Sequence, residues 1–269
     1  MTQKFTQMIS KNSLNPHCKH RWEKFFSGRD YRLDKCVLCG IIQTVSKKKT
    51  IREYSETDIE EAVKIYWTRG DEWRQFSRDF LRFLPKKKGR LLDVGCGSGW
   101  TVAEANRRGH RACGIDLSKG MVSFGKKRID KNLTAVSLQD FNPSEKFDYV
   151  TMNHVFEHFP DLTECLQKIR KLLKPHGRIL IAVPNINSLT FRIFQRRWYP
   201  LSPWEHIWQF TPETLAKVIK DEGFLIQKTV VNSMSYNPKN PFKKLGFIGL
   251  LGFANFIGFG DQVVILAKK

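Results

Sequence analysis

Acidic side chains are scarce in this sequence, 26 Asp and Glu against 46 Lys and Arg, and the formal net charge at pH 7 is +20. A deficit of that size points to an anionic partner, nucleic acid or an acidic membrane face, with a solvated Lys-rich surface as the bland alternative. The opening stretch MTQKFTQMISKNSLNPH lacks an apolar h-region, so no secretory signal is expected there and a reducing compartment is the expected setting. Cysteine is sparse, six in all, and in that setting paired cysteines mark a metal rather than disulfides. No internal repeat is visible, which sets repeat architectures aside. Hydrophobic residues at 41% and charged residues at 27% exclude disorder of the whole chain, and 269 residues hold one large domain or an ordinary domain with a small appendage.

What is present falls into three parts. Residues 1–50 are polar and basic and end in Lys47-Lys48-Lys49. Residues 51–87 read as helical: SETDIEEAVKIYWTRG opens with a capping pattern, DEWRQFSRDFLRFL continues after Gly70, and Pro85-Lys86-Lys87-Lys88-Gly89 breaks the chain. From residue 88 strands alternate with helices. RLLDVGC, RACGIDLS, LTAVSLQDF, FDYVTMNHVFEHF, GRILIAVPN, LIQKTVVNS and DQVVILAKK read as strands or begin as strands. The helix WTVAEANRRG closes at Gly109, a further helix lies near KGMVSFGKKRID, and DLTECLQKIRKLLKPHG is expected to stop at Pro175 and Gly177. TPETLAKVIKDEGF takes Thr211 as its N-cap, Pro212 in its first turn and Gly223 as its stop. The alternation predicts an α/β doubly wound sheet that binds its ligand at the carboxyl ends of the strands.

One turn in that pattern is rich in glycine: Asp93-Val94-Gly95-Cys96-Gly97-Ser98-Gly99-Trp100. Such a turn lets a ligand approach the backbone, but a dinucleotide fingerprint wants a small residue where Trp100 stands. Asp93 before the turn repels a pyrophosphate and suits an ammonium or sulfonium group. Asp116 ends the second strand, where a carboxylate accepts hydrogen bonds from both hydroxyls of a ribose. The ligand implied is a cationic nucleoside without phosphates, and S-adenosylmethionine fits.

The run LLDVGCGSGW, GIDLS, LQDF, FDYVTMNHVFEHFPD and LLKPHGRILIAVPN, over residues 88–230, resembles in order and spacing the class I S-adenosylmethionine-dependent methyltransferases. The resemblance implies a seven-stranded Rossmann-like sheet. It also implies that Asp93, Gly95, Cys96, Gly97 and Gly99 lie near the methionine part, Asp116 and Leu117 at the ribose, Gln139, Asp140 and Phe141 around the adenine, and Asn153 beside the cofactor. Read from the residues alone, Cys96, Cys113 and Cys165 are small buried hydrophobes.

A sulfonium methyl is already activated, so transfer needs placement, exclusion of water and in some cases a base. No Asp/Asn-Pro-Pro-aromatic motif follows the fourth strand, which lowers the case for methylating a nucleobase amine. Asn153-His154-Val155-Phe156-Glu157-His158 stands there instead, and on a helical turn His154 and His158 would share a face. This stretch resembles the ubiquinone-biosynthesis O-methyltransferases, which carry a carboxylate where His154 stands and hold a divalent metal there, making Glu157 and His158 a candidate metal position. The alternative role for the pair is to shape the pocket. The aromatic segment 192–210, with Trp198, Tyr199, Trp204, His206, Trp208 and Phe210, is a lid or its packing. His206 resembles a substrate-facing histidine of the same sugar- and quinone-type enzymes and is the first candidate base, with His158 second.

Two motifs stand outside that scheme. Cys18-x-His20 and Cys36-x2-Cys39, with His17 as the alternative to His20 and Gly40 as the turn, supply four ligands suited to tetrahedral zinc. Methyltransferases resembling this one, typically of bacterial surface-polysaccharide pathways, begin with such a ribbon. Expected here is a structural zinc-ribbon-like module at 1–50, separable from cofactor binding. The apolar insert 242–260, with Lys243-Lys244 at its start, falls short of the ~20 residues of a bilayer span. It reads as an interfacial segment on an anionic membrane, or as a buried helical hairpin. The expected function is O-methylation of a small, saccharide, quinone or lipid-linked acceptor in the cytoplasm, peripheral to the inner face of the membrane. The alternatives are an RNA methyltransferase gripping phosphates with the basic module and a nucleic-acid-binding zinc module on an inactive fold.

Overall fold

The computed structural model describes residues 18–46, 63–64, 67–233 and 241–269, with side chains of 241–247 left aside. His17, Lys47-Lys48-Lys49 and the capping pattern near Ser55 lie outside the described residues.

The large sheet has seven strands: β4 (Arg90–Val94), β5 (Arg111–Asp116), β6 (Leu133–Ala135), β7 (Phe147–Asn153), β8 (Leu173–Pro184), β10 (Leu225–Asn232) and β11 (Gln262–Lys268). Their order is β10-β11-β8-β7-β4-β5-β6, parallel except that β11 runs antiparallel between β8 and β10. Side chains Ile179 to Val183 of β8 are wholly buried because strands flank it and helices cover both faces. The order reverses between β4 and β7, so the glycine turn after β4 opens at a topological switch point.

Local chemistry explains the helices. In α1 (Gly70–Leu81) Phe80 and Leu81 turn inward. Gly99 caps α2 (Trp100–Arg107) at φ 92° and Gly109 follows it at φ 87°. Ser118 caps α3 (Lys119–Arg128) by accepting the Met121 N–H. Asp161 caps α4 (Leu162–Leu172). That helix ends before Pro175, three residues earlier than its sequence suggests, because residues preceding a proline avoid the helical region, and Leu173 already starts β8. α5 is Leu189–Phe194. α6 (Pro212–Asp221) has the Thr211 capping box and Pro212 in its first turn, and Gly223 follows at φ 77°. β6 holds only the start of LTAVSLQDF, the remainder forming the turn that carries Gln139–Phe141.

The insert between β10 and β11 is one helix, α7 (Pro241–Phe256), not a hairpin. It packs on α5 and β10 through Leu251 and Ala254 and leaves Ile248, Phe253 and Phe256 exposed, Phe256 at 87%. No helix among the described residues is long and apolar enough to cross a membrane.

A second, antiparallel sheet joins β1 (Trp22–Ser27), β2 (Tyr31–Cys36), β3 (Ile42–Ser46) and β9 (Trp208–Gln209). β9 comes from the aromatic segment, pairing Ile42 with Gln209 and Gln43 with Trp208, and Thr44 N–H donates to Ile207 O at 2.8 Å. Cys36 and Ile41 share one apolar core with Ile207, Trp208, Phe210 and Leu215. The N-terminal strands and the aromatic segment are therefore built as one layer.

Candidate active site

The carboxyl ends of β4, β5, β6 and β7 bring the predicted cofactor residues to one edge. Asp93 in β4 is 2% exposed, and Thr151 of β7 donates to its Oδ1 at 2.6 Å. Burial lifts the Asp93 carboxyl to about 7; the Thr151 hydroxyl opposes the rise and the Asp116 charge adds to it. Beyond β4 the chain needs positive φ at Gly95, where a Cβ would meet the Val155 side chain at 2.4 Å. Gly97 differs: nothing stands within 4 Å of a Cβ there, so its face is open to a ligand. Its N–H donates to Asp116 Oδ2 at 2.8 Å while Ser118 N–H donates to Oδ1 at 2.8 Å. Those bonds hold the Asp116 carboxylate at the end of β5 and use one lone pair on each of its oxygens.

Leu117 next to it is 77% exposed, an apolar surface beside an open site. Gln139 and Asp140 are exposed, Phe141 is half-buried over Phe147, and Ser137 Oγ donates to Asp140 Oδ2 at 2.6 Å. Asn153 ends β7 with Oδ1 buried and unpartnered, as is Ser98 Oγ in the turn. Open space at Gly97, orphaned polar atoms at Asn153 and Ser98, and carboxylates at Asp93 and Asp116 fit a cationic nucleoside. Cys96 and Cys165 are buried; Cys113 is partly so.

The chain leaves β7 through His154 at φ 56°, its N–H held by Ala182 O at 2.9 Å. Only one 3-10 turn follows, Phe156–His158, so His154 and His158 do not share a helical face. Instead Glu157, 0% exposed, points between two histidines. His154 Nδ1 lies 3.6 Å and His206 Nε2 3.7 Å from Glu157 Oε1. Burial alone would raise the Glu157 carboxyl, whose buried oxygens have no hydrogen-bond partner, but the close approach of His154 and the potentials of His206 and His158 bring it down to about 2.

The two histidines divide the proton. Burial opposes the charged form of His154, yet the Glu157 contact and its Nε2 bond to Gln262 Oε1 at 3.1 Å raise it above its ordinary value. Burial lowers His206 to about 4 despite Glu157, so His206 is neutral at pH 7, whereas the Glu157 carboxylate favours the charged form of His154. His206 keeps a buried, unpartnered Nδ1. His158 packs edge-on to His206 at 4.7 Å and donates from Nδ1 to Glu205 O at 2.9 Å. Glu157, His158 and His206 offer ligand atoms within 4.8 Å of one another.

The partnership of His154 with Gln262, and the hub position of Glu157, were not read from the sequence. Histidine is among the residues enriched at positive φ, but that is too weak a signal to place the turn from sequence. In the aromatic segment, Trp198, Trp208 and Phe210 are buried as packing, Trp208 donating to Phe159 O at 2.8 Å, while Tyr199 is 84% exposed.

Beside the small sheet Cys18, His20, Cys36 and Cys39 converge within 4.8 Å. Cys18 Sγ is 3.9 Å from Cys36 Sγ, and Cys39 Sγ 3.5 Å from His20 Nδ1. Two thiolates on a tetrahedral zinc at ~2.3 Å stand ~3.8 Å apart, so the set fits that ion. Burial would raise the Cys36 thiol, but the N–H groups of Cys39 and Leu38 outweigh it and bring it to about 6. Burial with the neighbouring sulfurs pushes Cys39 to about 12. Gathered thiols of this kind ionise together only around a cation.

The family model described as a methyltransferase domain matches residues 66–229, more than half of the chain. A ubiquinone biosynthesis O-methyltransferase from Bradyrhizobium diazoefficiens is 28% identical over 188 residues, covering 65% of this chain and 73% of its own length. An S-adenosylmethionine-dependent methyltransferase from Thermotoga maritima superposes with a TM-score of 0.60 at 16% identity, covering 80% of this chain and 97% of that one. The 1,6-didemethyltoxoflavin N1-methyltransferase of Burkholderia thailandensis, solved with its substrate and S-adenosylhomocysteine, gives 0.53 at 16% identity and 92% and 99% coverage. At such identities the two structures speak for the fold alone.

Proposed function

The chain belongs to the methyltransferase-domain family, and from that premise we propose that it moves the methyl of S-adenosylmethionine to a hydroxyl of a small or lipid-linked acceptor. When bound, the cofactor supplies a sulfonium methyl activated for displacement. Asp93 and the amides of the Gly95–Gly99 turn bind its methionyl end, Asp116 and Leu117 the ribose side, Gln139, Asp140 and Phe141 the base, and Asn153 lies beside it. The observation that carries the acceptor chemistry is neutral His206 with an unpartnered Nδ1 beside buried Glu157. Transfer would exchange the S–CH3 bond for an O–CH3 bond, the thioether S-adenosylhomocysteine leaving with the electron pair; the hydroxyl proton passes to His206 Nδ1, and Glu157 stabilises the resulting imidazolium. O-methyltransferase relatives of quinone biosynthesis support this reading and do not favour the RNA alternative.

A divalent cation held by Glu157, His158 and His206 is the competing account of the same cluster. We assign zinc to Cys18, His20, Cys36 and Cys39 as a structural ion, and the exposed apolar face of α7 to an anionic membrane surface on the cytoplasmic side. The deciding experiment uses labelled cofactor and fractionated cell extract as acceptor source. His206→Ala is expected to abolish methyl transfer while S-adenosylhomocysteine still binds. Loss of cofactor binding in that variant removes His206 from the base role, and activity lost on chelation but restored by a divalent ion in protein lacking the Cys18 cluster favours the metal account.

A further inference from the structure

A cavity of about 180 Å³ lies where α1, the end of β10, α7 and the start of β11 meet. Two of its walls touch the reaction centre. The Phe76 ring packs on the His154 ring at 5.6 Å, and Gln262 accepts from His154 Nε2. His154 in turn faces Glu157 and follows Asn153, so one residue, His154, separates the cavity from the Glu157–His206 pair.

The lining is mostly polar. Asn232, Asn255 and Gln262 present amides, and Asp79 and Arg82 present a carboxylate and a guanidinium that lie 3.9 Å apart. Asn232 Oδ1 has no hydrogen-bond partner, so the protein itself does not fix that amide. Phe76 supplies a flat ring on one side. Small-molecule pockets in general are lined mainly by apolar side chains with a few polar groups, so a lining this polar asks for a ligand rich in hydrogen-bonding groups. Here, amides that both donate and accept stand around an aromatic face. Adjacent hydroxyls, each donor and acceptor, match the amides. The C–H bonds of a pyranose face carry the partial positive charge that rests on the negative face of a ring.

We propose that this cavity is a saccharide subsite and that the acceptor hydroxyl belongs to a sugar, with Asn232, Asn255 and Phe76 reading the ring next to the one methylated or the remainder of the same ring. The proposal rests on the O-methyltransfer reading above and names its acceptor class.

The test takes the full chain loaded with S-adenosylhomocysteine and measures saturation-transfer NMR with methyl glycosides of hexoses, 6-deoxyhexoses and hexuronic acids. A catechol acid, 3,4-dihydroxybenzoate, serves as the aromatic comparison. At least one glycoside is expected to bind, with Asn232→Ala and Asn255→Ala each weakening it about tenfold, as loss of one hydrogen bond does. S-adenosylhomocysteine affinity should stay within about twofold, and Asn255→Ala, on the exposed face of α7, covers the case where Asn232→Ala does not fold. Unchanged glycoside affinity in both variants overturns the proposal, as does absence of any glycoside signal whether or not the catechol acid binds. Methyl transfer to the catechol acid with no glycoside binding overturns the saccharide assignment and leaves O-methyltransfer standing. A bound glycoside together with no methyl transfer to any acceptor keeps the subsite and sinks the functional reading instead.

Discussion

Replacing Glu157 by Gln removes a buried charge and keeps the shape of the side chain, so it isolates the electrostatics of the His154–Glu157–His206 row. The carboxyl sits at about 2 in the folded chain against an ordinary 4.5. At ~1.4 kcal/mol per pKa unit, that depression amounts to about 3 kcal/mol of stability at neutral pH. Breaking a buried pair by removing one partner costs ~3–5 kcal/mol, which agrees. With a urea slope of ~3 kcal/mol/M, the denaturation midpoint of Glu157→Gln should fall by about 1 M at pH 7. The sign with pH follows from the depressed value: the contribution is fully present above 4.5 and is lost as pH falls through 4.5 toward 2. The gap between parent and variant should therefore close as pH falls below 4.5. His154, whose charged form Glu157 favours, should show it too. His154→Asn, which tolerates the left-handed backbone, should cost a similar amount at pH 6, and the two losses should not add. A midpoint shift below about 0.3 M, or additive losses, would refute the charge assignment.

Three further outcomes are expected. Because burial holds Asp93 near 7, S-adenosylmethionine should bind more tightly as pH rises from 6 to 8, seen by calorimetry. Asp93→Asn should weaken binding, flatten that slope, and raise the apo melting point at pH 8 but not at pH 4, since ionised Asp93 costs the folded chain only above its unfolded pKa. A pH-independent affinity in the parent would mean Asp93 does not meet the cofactor's cation. Chelation of zinc should reduce acceptor turnover much more than S-adenosylhomocysteine affinity, because the small sheet carries β9 next to His206; equal losses would tie the metal to the cofactor site. Paired Phe253→Asp and Phe256→Asp changes should abolish sedimentation with phosphatidylserine-containing vesicles, and undiminished sedimentation would retire α7 as the contact.

Features that depend on neighbours in the chain were legible before the structure. The glycine turn after β4, Asp116 at the end of β5, the Thr211 capping box and the apolar run of β8 all declare themselves within about ten residues. The Cys18 to Cys39 set was legible for the same reason, since its spacing is local. What escaped depends on closure over long stretches. Gln262 reaches His154 across 108 positions, and Gln209 reaches Thr44 across 165. No periodicity encodes either meeting. The turn at His154 escaped because histidine only weakly favours positive φ, and the Ala182 carbonyl and Phe76 ring that hold it lie far away in sequence. The cavity beside Gln262 exists only because α1 and α7, far apart in sequence, cover the same strand ends.

The joint between β3 and β9 also sets an order of events on the ribosome. Strands β1 to β3 emerge first, yet the edge of β3 has no partner until Gln209 is made. At ~5–20 residues per second that interval is roughly 10–30 s. During it, Ile41 and Ile42, buried in the finished protein, stand uncovered beside an unpaired strand edge, which is a template for association with other nascent chains. A cation gripped by Cys18, His20, Cys36 and Cys39 would hold the hairpin to its final shape while it waits. Zinc-starved cells should then lose this protein to aggregation during synthesis rather than by unfolding of the finished chain.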